Sequence, residues 1–237
     1  MSKKVVIIIV EGDSDEELLI NRLREIYRDN EIRFEPQNGD IFYDRNSHKS
    51  IKALIGDVAL SVIKKRKYKP SDILAILHIM DTDGCFIDND KIIIDSSQIK
   101  QTLYTIESIK VIDDKQQNRI IERNQKRSQN IKEINCISSI VSKRFNYQLY
   151  YFSRNLEHVI FNEPNPKDEL KCDKIEEFLN NLSEPIEQFL SRYMPNYSKT
   201  DYCGEFKHSW SFIEQGTNSL KRFTNVPLII TFLNEII

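Results

Sequence analysis

The stretch KVVIIIVEG at residues 4–12 is a nearly continuous run of β-branched residues that stops at Glu11 and Gly12. Such a run is typical of a strand that is covered on both faces of a parallel sheet. Ser14 lies three residues before Glu17, which is the spacing of a helix capping box, and apolar residues follow at helical intervals. The stretch therefore predicts a buried strand, a turn that carries a carboxylate, and a helix.

Two further apolar runs end in carboxylates. Residues 73–80 lead into Asp81 and Asp83, and residues 147–152 are followed by Glu157. Strands that alternate with helices predict an α/β domain with a Rossmann-like, mostly parallel sheet flanked by helices. The remaining predicted elements of this pattern are a strand at 32–36 and a helix at 51–65.

The chain departs from this rhythm in two places. Residues 85–146 are polar and rich in Lys, Arg, Gln and Asn, so we interpret them as a helical insertion, with a short apolar run at 92–94 that suits a strand. We expect an α/β domain at 1–161 that contains this insertion, and a helical C-terminal appendage at 162–237 packed on it. The predicted helix breaks in the appendage are Pro195, Gly204 and Pro227.

Composition limits the classes of function. Hydrophobic residues make up 40% of the 237 residues and charged residues 30%, as in soluble globular proteins. The longest apolar run is too short to span a bilayer, and no signal peptide is recognisable, so we expect a cytoplasmic protein with no membrane partner. The net charge of −2 provides no general basic field, and a nucleic acid would have to bind a local patch. The candidate patches are residues 64–67, 119–132 and 221–222.

Several kinds of site are excluded or unsupported. With only six glycines the chain has neither a P-loop nor a GxGxxG motif, so it is not expected to bind ATP in the P-loop manner. Its four cysteines form no CxxC pair, which argues against a zinc knuckle and indicates reduced thiols. The four histidines lack ligand-spaced neighbours and are expected to be structural. Trp210 is expected to pack in the helical C-terminal part.

The carboxylates at the strand ends are the strongest functional signal. The carboxyl ends of parallel strands lie at one edge of a sheet, so Glu11, Asp81, Asp83 and Glu157 are expected to meet there. Like charges a few ångströms apart raise one another's pKa, and a hard divalent cation such as Mg²⁺ relieves that repulsion by oxygen ligation. The pattern therefore predicts a metal site.

These motifs resemble those of the Toprim domain found in topoisomerases, primases, small ribonucleases and nucleases of the overcoming-lysogenization-defect class. That family has a glutamate after its first strand and a D-x-D motif after a later one, which here read VVIIIVEGDSDE at residues 5–16 and ILHIMDTDG at residues 76–84. In the nuclease branch the first motif is often E-G-x-[ST]-E-E, so Asp15 stands where a glutamate is usual. Glu157 resembles the acidic residue that follows a late strand in that branch.

The resemblance implies a Toprim-like fold and a metal-dependent nuclease that cleaves the phosphodiester bonds of DNA or RNA. Two ions about 4 Å apart would clamp the attacking water and the leaving oxygen. Glu11, Asp81 and Asp83 would hold one Mg²⁺ or Mn²⁺, and Asp15 with Glu157 would help to hold a second.

A phosphate site also needs a basic group. Small polar residues surround Lys221, which is therefore the candidate catalytic cation beside Glu11, Asp81 and Asp83. The resemblance further implies a role in phage defence, an ABC-type ATPase as a partner, and a homodimer.

Two alternatives remain open. The sequence DTDG at residues 81–84 also resembles the signature of haloacid-dehalogenase-type phosphatases, in which Asp81 would be the nucleophile and Asp83 the general acid. The further residues of that family would be Ser96, Asp113, Asp114 and Lys115. Alternatively, the chain is a non-catalytic Toprim module that acts with its ATPase partner.

Overall fold

The computed structural model describes residues 4–30, 32–38, 41–42, 49–166, 171–197 and 201–237. The strands in these residues are β1 (Lys4–Val10), β2 (Ile32–Asn38), β3 (Ile73–Asp81), β4 (Ile92–Ile94), β5 (Thr102–Tyr104), β6 (Ile109–Val111), β7 (Ser139–Ile140) and β8 (Phe145–Phe152). The helices are α1 (Asp13–Ile26), α2 (Ile51–Arg66), α3 (Asp114–Ile134), α4 (Leu156–Phe161), α5 (Lys171–Asn181), α6 (Ile186–Ser191), α7 (Tyr202–Ile213) and α8 (Leu228–Ile236).

The central sheet has five strands in the order β2-β1-β3-β8-β7. Strands β1, β2, β3 and β8 are parallel, and β7 pairs with β8 in the antiparallel direction. The prediction of an α/β protein with a mostly parallel sheet flanked by helices is therefore confirmed. Because β3 lies between β1 and β8, the carboxyl ends of these three strands are neighbours.

Strand β1 contributes to two hydrophobic cores, because successive residues of a strand point to opposite faces of the sheet. Val6 and Ile8 pack with residues of α1, α5, α6 and α8. Val5 and Ile7 pack with residues of α2, α3 and α7. All four side chains are buried, and each such burial stabilises the protein by about 1.5–3 kcal/mol. The sheet is thus covered on both faces, as the unbroken apolar run predicts.

Residues 85–146 contain more than helices. Beside the long helix α3, three short strands form a second sheet in the order β4-β6-β5. This sheet packs on α3 through Ile92, Ile109 and Ile120. The predicted strand at 92–94 is therefore confirmed, whereas the expectation that the rest of the insertion is helical is wrong for residues 102–104 and 109–111. Strands of three residues are too short to show a period-two pattern, and only the apolar run at 92–94 could be recognised from the sequence.

The C-terminal part is helical, as expected, in residues 171–197 and 201–237. Pro195 follows α6, and Pro227 immediately precedes α8. The predicted break at Gly204 is wrong, because Gly204 lies in the first turn of α7 and Asp201 accepts its N–H at 2.8 Å. A glycine costs a helix backbone entropy, but a single glycine in a first turn that is capped by a side chain does not end the helix.

Strand β8 joins the C-terminal part to the sheet. Thr224 forms a β-bridge with Phe152, and the buried Asn225 accepts the N–H of Tyr151 at 2.8 Å. The segment just before Thr224 consequently lies against the turns that follow β3 and β8. None of the helices in the described residues has the length and apolar character needed to cross a bilayer.

Candidate carboxylate site

The three central strands end at one edge of the sheet, and each delivers a carboxylate there. Glu11 follows β1 directly, Asp81 is the last residue of β3, and Glu157 lies in the first turn of α4 after β8. The pairing of Asp81 with Phe152 brings the ends of β3 and β8 level. The sheet therefore places the predicted strand-end acids on adjacent strands.

Asp81 lies at the centre of this group. Its Oδ1 atom is buried and has no hydrogen-bond partner among the described residues. Burial raises the pKa of Asp81 well above its usual value of 3.8, and the negative charges of Glu11, Asp15, Asp83 and Glu157 raise it further. Asp81 is thus close enough to each of the other four predicted carboxylates to interact with it electrostatically.

The turn after β3 is held in an unusual backbone conformation. Asp83 and Gly84 have φ values of 51° and 66°, in the left-handed region that favours glycine. The N–H of Asp83 donates to the carbonyl of Arg154 at 2.9 Å, and the N–H of Arg154 donates to Oγ1 of Thr82 at 2.9 Å. Arg154 is also left-handed, with φ at 61°. Two neighbouring turns therefore hold each other in the geometry that presents Asp83.

Asp15 has a structural task in addition to its place near Asp81. Its Oδ2 atom accepts the N–H of Gly12 at 3.1 Å, and Gly12 is the N-cap of α1. The cap of α1 therefore consists of Gly12 and Asp15. The predicted capping box of Ser14 and Glu17 is wrong, because it lies two residues further along the chain. Because the helix begins immediately after the glutamate turn, the aspartate of its first turn can cap it and remain close to the other acids.

Arg127 is a member of the site that sequence reasoning did not single out. It projects from α3 and its side chain is only 1% exposed. Its guanidinium donates to a carboxylate oxygen of Glu11 and to the carbonyl oxygen of Asp81, and its Nη1 atom lies 3.9 Å from Oδ2 of Asp83. A buried cation therefore already contacts two of the predicted metal ligands.

Two further arginines surround Asp83. Nη1 of Arg154 donates to Oδ1 of Asp83 at 2.8 Å, and its guanidinium carbon lies 3.5 Å from the centroid of the Tyr104 ring. Arg123 donates to the Asp83 carbonyl at 2.8 Å and to the Tyr104 hydroxyl at 2.7 Å. Tyr104 belongs to β5, so the insertion supplies part of the wall of the site.

The sequence does contain a signal for Arg127. The buried positions of α3 are Ile120, Asn124, Arg127, Ile131 and Ile134, a spacing of three or four residues that marks one helix face. An arginine on the apolar stripe of a helix has to meet an acid inside the protein. The interpretation of the basic run at 119–132 as a surface patch is wrong for Arg127, which lies on the buried stripe of α3 and not on its polar side.

Lys221, the predicted catalytic cation, lies in the segment that supports the turns. Its carbonyl oxygen accepts the hydroxyl of Ser153, and its Nζ atom lies 3.4 Å from Oδ1 of Asn218. Within the described residues no ion pair joins Lys221 to a carboxylate. Its catalytic role stays a prediction, whereas Arg127 contacts Glu11 and Arg154 contacts Asp83.

The other expectations concern residues outside the site. His78 is buried beside Tyr147 at 3.1 Å, and desolvation together with the charge of Arg127 lowers its pKa to about 3. Trp210 is buried and packs edge-on against Tyr151, which agrees with its expected place in the core. His48 and the side chain of Cys172 lie outside the described residues.

The donor chemistry of the site suits a hard divalent cation. The expected ligands are all carboxylates, and the buried Oδ1 atom of Asp81 lacks a hydrogen-bond donor within the described ranges. In the described part of the chain, no group of three or more Asp, Glu, His or Cys side chains has the arrangement of a metal-binding site. Arg127 already engages Glu11, one of the expected ligands.

A scan against protein-family models, a search of curated proteins and a search of solved structures each found no match to this chain.

Proposed function

We propose that the protein is a metal-dependent phosphodiesterase that cleaves DNA or RNA, with a Toprim-like arrangement of its carboxylates. The observation that carries this proposal is the convergence of five acids on the carboxyl edge of a parallel sheet around Asp81. Arg127 and Arg154 compensate Glu11 and Asp83 in part. Five acids are nevertheless costly to bury and crowd together, so such a group is more readily explained by a cation than by stability. The residues of both sequence motifs contribute to it.

Asp81, Glu11 and Asp83 are the residues that would hold Mg²⁺ or Mn²⁺, with Asp15 and Glu157 beside them. The bound cation would polarise a phosphoryl oxygen and lower the pKa of an attacking water. Among the described residues, Oδ1 of Asp81 has no hydrogen bond to lose when it ligates the cation. Thr82, buried between the two turns, keeps Asp83 in place through its bond to the Arg154 N–H.

The chain also carries groups that suit a phosphodiester. Arg154 is held by stacking on Tyr104 and projects into the acidic group, where a planar guanidinium can bind phosphate oxygens in pairs. Exposed positions of α3 carry Lys115, Arg119 and Lys132, and cations of this kind would attract a polyanion. A polymeric nucleic acid would contact both regions, whereas a small phosphate ester would contact only the first. An ABC-type ATPase partner and a homodimer remain part of the proposal through the sequence resemblance alone.

The phosphatase alternative receives less support. Asp113 caps α3 by accepting the N–H of Gln116 at 2.7 Å, and Lys115 lies in the first turn of that helix. Arg127, which marks the site, lies twelve residues further along α3, or about 18 Å at the rise of an α-helix. Two of the residues that a phosphatase would need are therefore at the far end of the helix from Asp81.

The test is cleavage of labelled plasmid, single-stranded DNA and transfer RNA by the wild type and Asp81→Ala, each with EDTA, Mg²⁺ or Mn²⁺. We expect cleavage that requires the cation and falls at least roughly a hundredfold in Asp81→Ala, because loss of a ligand costs more than loss of the residue that orients it. Asp90→Ala is the matched control, because Asp90 is an exposed acid in the insertion. Cleavage that persists in EDTA or in Asp81→Ala, or no cleavage of any substrate, would reject the proposal.

A further inference from the structure

The contact between Arg127 and Glu11 connects the insertion to the first strand. Arg127 lies on α3 and Glu11 ends β1, and these residues are far apart in the sequence. The Arg127 side chain is 1% exposed and the Glu11 side chain 16% exposed. An ion pair with so little access to water is screened weakly, so it affects the affinity of neighbouring carboxylates for any other cation.

The guanidinium of Arg127 has two kinds of partner. It donates from Nε, at 3.2 Å, and from Nη2 to the carbonyl oxygen of Asp81, which is a backbone atom in β3. It also contacts the carboxylates of Glu11 and Asp83. The backbone bonds can stay in place while the carboxylate contacts open, because a guanidinium has five N–H groups in a rigid fork.

The carboxylates that Arg127 contacts are two of the three that would ligate the metal ion. A guanidinium and a divalent cation at the same carboxylate repel each other, so each weakens the binding of the other at Glu11. Asp81 differs from Glu11 in this respect, since its Oδ1 atom has no hydrogen-bond partner in the described part of the chain. Oδ1 of Asp81 would therefore ligate a cation without losing a hydrogen bond from a described residue. At the Glu11 oxygen, a cation would compete with Arg127.

We propose that Arg127 is an internal counter-ion that competes with the divalent cation for Glu11 and Asp83, so that α3 of the insertion sets the metal affinity of the site. This inference rests on the proposed metal site and adds its regulation. Without the cation, Arg127 neutralises part of the acidic group and stabilises the turns. When the cation binds, Arg127 leaves Glu11 and keeps its bonds to the Asp81 carbonyl.

The experiment is the binding of Mn²⁺ alone, without nucleic acid, followed by the electron paramagnetic resonance signal of unbound Mn²⁺. Arg127→Gln and Arg127→Met both remove the charge, and Met keeps a long apolar side chain that suits a buried position. We expect Mn²⁺ to bind about tenfold more tightly to these variants than to the wild type, in the usual range of coupling between two ligands. Arg144→Gln is the control, because it removes one exposed arginine outside the site and is expected to leave the affinity unchanged.

The wild type supplies a second measurement that does not depend on a buried substitution. The Nε–H resonance of Arg127 is expected to shift when Mg²⁺ is added, because the guanidinium loses its carboxylate partner. Equal or weaker Mn²⁺ binding by the charge-removing variants, or an Arg127 resonance that does not respond to Mg²⁺, would overturn the inference.

The outcomes separate this inference from the proposed function. Tighter Mn²⁺ binding by Arg127→Gln without cleavage of nucleic acid would support the counter-ion and reject the nuclease. Metal-dependent cleavage with unchanged Mn²⁺ affinity in the variants would support the nuclease and reject the counter-ion. Absence of Mn²⁺ binding in the wild type and both variants would reject both.

Discussion

Nη1 of Arg154 lies 2.8 Å from Oδ1 of Asp83, and this ion pair joins the turns that follow the two central strands β3 and β8. The Arg154 side chain is 11% exposed and the Asp83 side chain 27% exposed. Tyr104 of the second sheet covers the guanidinium at 3.5 Å. One arginine thus connects the central sheet, the acidic site and the insertion, and its loss should affect all three.

We predict that Arg154→Gln lowers the free energy of unfolding by about 1–3 kcal/mol, the usual contribution of a hydrogen bond to a charged group. Arg154→Lys should recover less than half of that loss, because an ammonium group is not planar and cannot stack on Tyr104 while it pairs with Asp83. The measurement is urea unfolding in EDTA, so that no cation compensates for the missing guanidinium.

Arg144→Gln is the control for this prediction. Arg144 is exposed and lies 5.8 Å from the Phe145 ring, so its loss should change the free energy of unfolding by less than about 0.5 kcal/mol. If Arg154→Gln were as mild as Arg144→Gln, the ion pair with Asp83 would not brace the turns.

The parts of the fold that follow from local pattern were predictable from the sequence. The apolar run that forms β1 is unbroken because both faces of the strand are buried, and its end at Glu11 marks the edge of the sheet. Asp81 could be assigned to the same edge because it ends a second such strand. The carboxyl ends of parallel strands lie at one edge of a sheet, and this rule was sufficient to predict that Glu11 and Asp81 are close together.

The rest depends on contacts between distant residues. The strands β5 and β6 pair over three residues each, and nothing in so short a stretch separates a strand from a loop. Arg127 and Glu11 meet because the fold brings α3 to the end of β1, and a sequence does not state which acid a buried arginine will contact. For this reason the arginines of the site could not be assigned to their acids from the sequence. The spacing of Arg127 from the apolar residues of α3 indicates only that it is buried.

The raised pKa of Asp81 predicts how stability depends on pH without metal. Above pH 3.8 an aspartate in the unfolded chain loses its proton, whereas Asp81 in the folded protein keeps it until the pH passes its raised pKa. In this window the folded state binds more protons than the unfolded state, so the free energy of unfolding falls as the pH rises. The contribution of Asp81 is therefore fully present in acid and is lost as the pH rises through its folded-state pKa.

Asp81→Asn removes this titration and keeps the shape of the side chain. We expect the variant to be more stable than the wild type at neutral pH in EDTA, with a difference that shrinks as the pH falls toward the ordinary pKa of an aspartate. Urea unfolding of both proteins at a series of pH values gives that difference, and Asp90→Asn shows the effect of removing an exposed acid. A difference that is constant with pH would mean that the pKa of Asp81 is the same in the folded and unfolded protein.

Gly84 follows the two aspartates of the turn, and two separate constraints require a glycine there. Its φ of 66° is left-handed, and a Cβ atom would lie 2.4 Å from Cδ2 of Leu220. Gly216 has a similar φ of 52°, but among the described residues no atom lies within 4 Å of the point where its Cβ would stand. We predict that Gly216→Ala costs about 1–2 kcal/mol for the backbone alone, and that Gly84→Ala costs about 1–3 kcal/mol more because of the overlap.

Comparing the two glycines cancels the effect of alanine on the unfolded chain, which is the same at both positions. The overlap itself is isolated by Leu220→Ala, which removes the atom that Cβ would meet. Because Leu220 is buried, that change costs about 2–5 kcal/mol by itself. The double variant should nevertheless be more stable than the sum of the single changes implies, by about 0.5–3 kcal/mol. Additive effects in urea unfolding would show that Leu220 moves aside without cost, and the requirement for Gly84 would then lie in the backbone alone.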